Sequence, residues 1–188
     1  MGQDKGSMNL HAKPMITHVI ETLIHVSDEI VLVLRDENQA DGYKKFLKNL
    51  KLSENIDFKI CTDILKDHGP LAGILTGFQF INRNKVMVLP CDSPLVSELF
   101  VKKMFKLSKD VNFDAFVPMW SDGKLEPLHS IYKKNSMPII QKLLEENILD
   151  IKSFITQLNV KFIDVESLDP TNRSFFNINQ MKDIYKLS

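Results

Sequence analysis

Strand-sized apolar runs alternate along this chain with stretches whose apolar residues recur at spacings of three and four. Ile30-Val31-Leu32-Val33-Leu34 and Lys85-Val86-Met87-Val88-Leu89 are continuous and rich in β-branched residues, the pattern of strands covered on both faces. Phe58 to Cys61 is a shorter run of the same kind. Between these runs, Pro14 to Val26 reads as a helix with proline in its first turn and Met15, Ile16, Val19, Ile20, Leu23 and Ile24 on one side. Gln39 to Leu50 and Pro70 to Ile81 are helical in pattern. Ser97 to Leu107 is a third such stretch, with Ser97 as N-cap and Glu98 in the first turn. Alternation of this kind predicts a doubly wound α/β fold, a parallel sheet with helices on both faces.

Past residue 110 the rhythm loosens. Ala115 to Val117 and Leu128 to Tyr132 read as strands separated by the turn-forming Ser121-Asp122-Gly123-Lys124. Helices are expected over Ser136 to Glu146, Ile151 to Leu158 and Gln180 to Leu187, and a strand over Val160 to Val165. No repeat or linker interrupts the 188 residues, which predicts one domain over 1–188. With 24 basic and 24 acidic residues spread along the chain there is no basic stripe, which weighs against nucleic acid as a ligand. The apolar runs fall far short of the roughly 18 residues a membrane helix needs, so no membrane segment is expected. The polar N-terminus lacks a secretory h-region, which predicts a cytoplasmic protein with Cys61 and Cys91 as buried thiols.

In open α/β sheets ligands bind beyond the carboxyl ends of the strands, so residues that follow each predicted strand are the candidates for chemistry. Pro90-Cys91-Asp92-Ser93-Pro94 places a carboxylate between two prolines that restrict the backbone. Asp92 so placed either holds Mg²⁺ against substrate phosphates, since that ion takes one or two protein carboxylates plus phosphate and water, or caps a turn. After Phe58 to Cys61 come Asp63 and then Gly69-Pro70-Leu71-Ala72-Gly73 at a helix start. Glycine lets a ligand approach the backbone, and the free amides there can face an anion or a base edge. The alternative is a plain loop with a proline helix start. Lys5, taken alone, reads as a solvated charge. His11, His18 and His25 recur every seven residues, but two helical turns separate the last two by roughly 10 Å, too far to share one ion.

Taken together, these segments resemble the molybdenum cofactor guanylyltransferase family of nucleotidyltransferases. Met1-Gly2-Gln3-Asp4-Lys5 is similar to the end of that family's Leu-Ala-Gly-Gly-x-Ser-x-Arg-Met-Gly-x-Asp-Lys signature, and Lys13-Pro14-Met15-Ile16-x-His18-Val19-Ile20-Glu21 to its continuation. Gly69 to Gly73, Cys91 to Pro94, Glu126-Pro127-Leu128-His129-Ser130-Ile131-Tyr132 and Phe176-Asn177-Ile178-Asn179 follow in family order over essentially the whole chain. Val33-Leu34-Arg35-Asp36-Glu37-x-Gln39 is similar to the archaeal-type branch. The resemblance implies a Rossmann-like, mostly parallel sheet of the nucleotide-diphospho-sugar transferase type. It also implies transfer of GMP from GTP to the terminal phosphate of molybdopterin, with release of pyrophosphate. On that basis Asp92 binds Mg²⁺, Lys5 neutralises the triphosphate, and Asp63 sits beside nucleotide or metal. Gly69, Pro70, Leu71, Ala72 and Gly73 face guanine and ribose, while Glu126, Pro127, Asn177 and Asn179 lie toward the pterin. A protein partner that inserts or hands over molybdate is implied likewise. The alternatives are a guanylyltransferase for a cobamide precursor, a cytidylyltransferase for the same pterin, and a non-catalytic nucleotide-binding paralogue.

The departure from the family lies at the start, where its first strand and the Leu-Ala-Gly-Gly-x-Ser-x-Arg part of its loop are absent. That strand lies mid-sheet in the family, so two unpaired strand edges and an apolar slot between helices are expected. The loss of about five buried side chains at ~1.5–3 kcal/mol each comes to roughly 7–15 kcal/mol, comparable to a domain's stability. An internal methionine taken as the start, with the natural protein continuing upstream, is the leading explanation. A decayed paralogue whose slot another segment fills, or a binding module, are the others.

Overall fold

The computed structural model describes residues 5–48, 50, 55–109 and 112–184, and of residues 181 and 184 the backbone alone. The expected match at Met1 to Asp4 and the end of the helix expected over Gln180 to Leu187 lie outside the described residues. The chain opens with a small hairpin, β1 (Asn9–Leu10) against β2 (Lys13–Pro14). Its turn holds His11 and Ala12 in left-handed backbone, at φ 49° and 65°. The strain is offset by anchors on either side, since Leu10 and Met15 are buried with Met8 and Ile178. His18 is spent here, its Nε2 lying 2.9 Å from the Leu10 carbonyl.

Helix α1 (Met15–Leu23) and strand β3 (Glu29–Leu34) follow. Helix α2 (Glu37–Leu47) begins two residues before the apolar periodicity does. Asp36 Oδ1 accepts from Gln39 N at 2.9 Å while Gln39 Oε1 accepts from Arg35 N at 2.7 Å, a reciprocal cap. Then come β4 (Asp57–Thr62), α3 (Gly69–Phe80), β5 (Lys85–Met87) and α4 (Glu98–Leu107). Ser97 Oγ accepts from Phe100 N at 3.1 Å, as its position predicts. The order closes with β6 (Ala115–Met119), β7 (Ile131–Lys133), α5 (Met137–Glu145), α6 (Ile151–Ile155), β8 (Val160–Asp164), α7 (Val165–Leu168) and α8 (Met181–Ile184).

Strands β3 and β4 pair in parallel, from Glu29 opposite Asp57 to Leu34 opposite Thr62. The other larger sheet has the order β5-β7-β6-β8, with β6 and β8 parallel. Strand β7 runs antiparallel to both of its neighbours, so the sheet is more mixed than the alternation predicts. The reason is local: a loop with a single 3₁₀ turn returns the chain from β6 to β7, and parallel pairing needs a longer crossover. Alternate side chains feed two cores. Phe116 and Ile131 pack with residues of α1, α2 and α4, while Ala115, Val117 and Tyr132 pack with α3, α5 and α6.

Among the described residues β3 pairs only with β4 and β5 only with β7, so each keeps one edge without a strand partner. Between those edges lies a cavity of about 660 Å³, bounded by Val31 and Val33, by Val86 and Val88, and by Ile20 and Gly77 from helices α1 and α3. The cavity corrects the reading of Lys85 to Leu89 as a fully buried strand. Every one of those residues is half-buried, because one edge meets space instead of a neighbour. A clasp joins the two strands at their starts. The Glu29 carboxylate accepts from Asn82 N at 3.0 Å and pairs with Lys59 Nζ at 2.6 Å, and Arg83 Nη2 lies 3.5 Å from Asp28 Oδ2. Strands β3 and β5 therefore begin side by side.

Candidate active site

Lys5 begins a 3₁₀ turn, Lys5–Ser7, whose place is set by Gly6. A Cβ there would stand 2.2 Å from Tyr43 Oη and 3.3 Å from Cys91 Cβ, so glycine lets the turn lie against α2 and the Cys91 loop. Seated this way, Lys5 Nζ lies 3.3 Å from Asp92 Oδ2 and 2.5 Å from Asn179 Oδ1. The C-terminal segment reaches the same point from the other side. Ile178 N donates to the Asp92 carbonyl at 2.8 Å, and Ile178 itself is buried. Ser93 Oγ donates to Asn177 Oδ1. Asp183 Oδ2 accepts from Asn179 N at 3.1 Å and from Gln180 N at 3.0 Å, which orients Asn179. Lys5, Asp92, Asn177 and Asn179 are thus brought together. The Lys5–Asp92 pair is half open to solvent on its lysine side, so its value lies in placing charge more than in stability.

A second polar group leans on the first. Glu126 Oε1 accepts from Trp120 Nε1 and from Lys124 Nζ, both at 2.8 Å, and Oε2 lies 3.6 Å from His129 Nδ1. Burial alone would raise the Glu126 pKa. The His129 imidazole, the Lys124 ammonium and the Trp120 indole outweigh it and hold the carboxyl at about 2. His129 is buried, packs on Phe175 with ring centroids 5.2 Å apart, and places Nε2 3.0 Å from Ser93 Oγ. The chain Glu126, His129, Ser93, Asn177 therefore connects the 120–129 segment to the Asp92 loop. Sequence reasoning did not single out Ser93, His129, Trp120 or Lys124 individually. The three-residue spacing of Glu126 and His129 was the available signal. Pro127 shapes the 3₁₀ turn Pro127–His129, and its carbonyl accepts from Tyr132 Oη at 2.8 Å.

Asp63 and Gly69 to Gly73 occupy the end of β4 and the start of α3. Asp63 Oδ1 accepts from Thr76 Oγ1 at 2.9 Å and from Leu65 N at 3.2 Å, which ties the β4–α3 loop to the helix. Gly69 sits at φ 67°, where a side chain would be strained. At the helix start, where the free amides are expected to face a nucleotide, the side chains of Leu71 and Ala72 turn inward. Both are fully buried, because the inner face of α3 runs through Leu71, Ala72, Leu75 and Phe78, and only their backbone can meet a ligand. Pro70 is exposed and Gly73 half-buried. Burial, with Asp63 nearby, pushes the Cys61 thiol up to about 11. Cys91 is half-buried, so the expectation of a buried thiol there is corrected. No group of three or more His, Cys, Asp or Glu among the described residues is placed to hold a metal ion. No helix among them is long and apolar enough to cross a membrane.

Lys5, from the turn at the start of the described chain, and Asp92, from the loop that follows β5, hold opposite charges together at one edge of an α/β fold. Residues 1–161 match the model of the MobA-like NTP transferase domain, and the chain belongs to that family. A curated relative from Methanothermobacter thermautotrophicus, named "Probable molybdenum cofactor guanylyltransferase", is 34% identical over 98% of this chain and 90% of its own length. One of the same name from Natranaerobius thermophilus is 32% identical over 98% of this chain and 86% of its own. Among solved structures, molybdopterin-guanine dinucleotide biosynthesis protein A from Archaeoglobus fulgidus superposes with a TM-score of 0.80 at 24% identity, covering 98% of this chain and 89% of that one. A 4-diphosphocytidyl-2C-methyl-D-erythritol synthase from Anaerococcus prevotii gives 0.69 at 16% identity over 96% of this chain and 90% of that one. The fold is that of the nucleotide-diphospho-sugar transferase type.

Proposed function

We propose that the protein transfers GMP from GTP to the terminal phosphate of molybdopterin, releasing pyrophosphate. The observation that carries this reading is the meeting of Lys5, Asp92 and Asn179 at one point. It gains support from the guanylyltransferase name of relatives that align along nearly the whole chain. In the reaction a terminal phosphate oxygen of molybdopterin attacks the α-phosphorus of GTP. The bond from that phosphorus to its bridging oxygen breaks, and pyrophosphate leaves with the electron pair. The attacking oxygen is already anionic at neutral pH, so alignment and charge neutralisation dominate the barrier.

Lys5 supplies one positive charge to the triphosphate. Asp92 is a single, largely buried carboxylate, 14% exposed, which fits Mg²⁺ because that ion takes its remaining ligands from phosphate oxygens and water. When bound, the ion supplies further neutralisation of phosphate charge. Asp63 and the backbone of Gly69 to Gly73 serve the nucleotide side. Glu126, Pro127 and the Asn177–Asn179 segment serve the pterin side, with Glu126 fixed as an anion by its neighbours. The reaction takes place in the cytoplasm, and the product goes to a protein that inserts molybdenum. To test the reading, purified protein is mixed with Mg²⁺, molybdopterin and each NTP in turn, and the dinucleotide and pyrophosphate are measured. GTP-dependent formation of both is expected, and Asp92→Asn should slow it on the order of 10²–10³-fold. Turnover with CTP but not GTP overturns the guanylyl reading, and nucleotide binding without turnover overturns the enzyme.

A further inference from the structure

On the reading that the chain transfers GMP to molybdopterin, we propose that His129 is a positioning residue for the acceptor. Through Ser93 it turns the side-chain amide of Asn177 with its oxygen inward and its NH2 group outward, toward the terminal phosphate of the pterin.

Hydrogen-bond direction fixes the amide. A serine hydroxyl has one proton to give, and Ser93 Oγ gives it to Asn177 Oδ1. The contact of Ser93 Oγ with His129 Nε2, at 3.0 Å, is then one in which the imidazole donates. Were that nitrogen bare, the Ser93 proton would go to it, and Asn177 would have to turn its NH2 group inward to meet the oxygen. The donor on His129 therefore decides which end of Asn177 faces out. Ser93 and His129 are each 1% exposed, so solvent does not compete for these groups. The imidazole is itself held in place. Phe175 and Phe100 pack on it with ring centroids 5.2 and 6.5 Å away, and Glu126 Oε2 lies 3.6 Å from Nδ1 on its far side.

Other contacts fix the backbone around Asn177. Ser174 N donates to Asp169 Oδ2 at 2.8 Å and Ile178 N to the Asp92 carbonyl at 2.8 Å, so the segment is tied on both sides and the His129–Ser93 pair is left to set the side chain. Asn179 reaches the same polarity by another route, because Lys5 Nζ donates to its Oδ1 at 2.5 Å. Both asparagines are exposed. With their side-chain oxygens spent on internal donors, each offers a ligand its NH2 group. Together with the Lys5 ammonium they form a corner that only donates, which suits a group that only accepts, as an ionised phosphate does.

Equilibrium binding of molybdopterin and of GTP to the whole chain, measured by calorimetry, tests the assignment apart from turnover. His129→Leu and Ser93→Ala break the link at different points. Each should weaken molybdopterin binding by about 10- to 100-fold, while GTP affinity changes by less than about threefold. His129→Gln, whose amide can donate to Ser93 from the place of Nε2, should recover most of the affinity. In an Asn177→Ala background His129→Leu should change molybdopterin affinity by less than about twofold, because its effect passes through the Asn177 amide. Ser93→Ala carries the test if His129→Leu fails to fold. Equal losses with leucine and glutamine, further weakening in the Asn177→Ala background, or an equal loss for GTP overturns the proposal, as does a parent chain that does not bind molybdopterin. A parent that binds molybdopterin yet forms no dinucleotide refutes the transfer reading alone, and the same affinities still decide the role of His129.

Discussion

Replacing Glu126 by glutamine separates charge from shape at the centre of the polar network. The side chain is nearly buried, 8% exposed, and its neighbours hold the carboxyl at about 2 in place of 4.5. At ~1.36 kcal/mol per pKa unit, the depression corresponds to about 3 kcal/mol of stability. The sign follows from which state takes the proton first. Above pH 4.5 the carboxyl is ionised in both states and the contribution is full. As pH falls from 4.5 toward 2 the unfolded chain is protonated while the folded chain is not, and the contribution drains away. The amide of Glu126→Gln still accepts from Trp120 but gives Lys124 and His129 no charge. The variant should therefore be less stable by about 2–3 kcal/mol at pH 7. That difference should shrink steadily on going from pH 5 to pH 3. Trp120 is the only tryptophan of the chain, so its fluorescence reports denaturant unfolding directly. A difference below about 1 kcal/mol at pH 7, or one of equal size at pH 7 and pH 3, would refute the reasoning.

Lys5→Met should slow guanylyl transfer on the order of 10²-fold while stability changes by less than about 1 kcal/mol, since the lysine is 45% exposed. Steady-state rates and denaturant melts measured on one preparation check both halves, and a rate within threefold of the parent removes Lys5 from the reaction. Iodoacetamide at pH 8 should alkylate Cys91 in the folded protein and spare Cys61, whose thiol is buried and pushed up to about 11. Peptide mapping of the labelled sites decides, and prior labelling of Cys61 contradicts the burial argument.

Much of this fold is legible in local pattern. Ser97 caps α4 where its spacing puts it, and the apolar periodicity finds α1, α3 and α5 to within a residue or three. The start of α2 escapes because its cap, Asp36 with Gln39, is made of polar side chains that carry no apolar period. The direction of β7 escapes because strand polarity depends on how the chain returns, which three apolar residues do not encode. At the site, Lys5 is marked by the family signature it ends and not by its own composition, and the fold brings it to Asp92, 87 residues away. The family motifs drew attention to Asp92, Asn177 and Asn179. They did not reveal that Ser93 and His129 join them in a buried contact across 36 residues. That the side chains of Leu71 and Ala72 belong to the core is not visible in the motif, because the first turn of a helix can already be buried while its amides stay free.

The bond between Lys5 and Asn179 spans 174 residues. A ribosome adds about 5–20 residues each second and releases the chain from its N-terminus onward. The turn that carries Lys5 is thus made seconds before its partner exists, and Asp92 waits about half as long for Ile178. Any nascent chain that has not yet exposed Phe176 to Asn179 lacks the segment that seats both residues, however complete its core. The corner where Lys5, Asp92 and Asn179 meet therefore closes only after Phe176 to Asn179 has emerged.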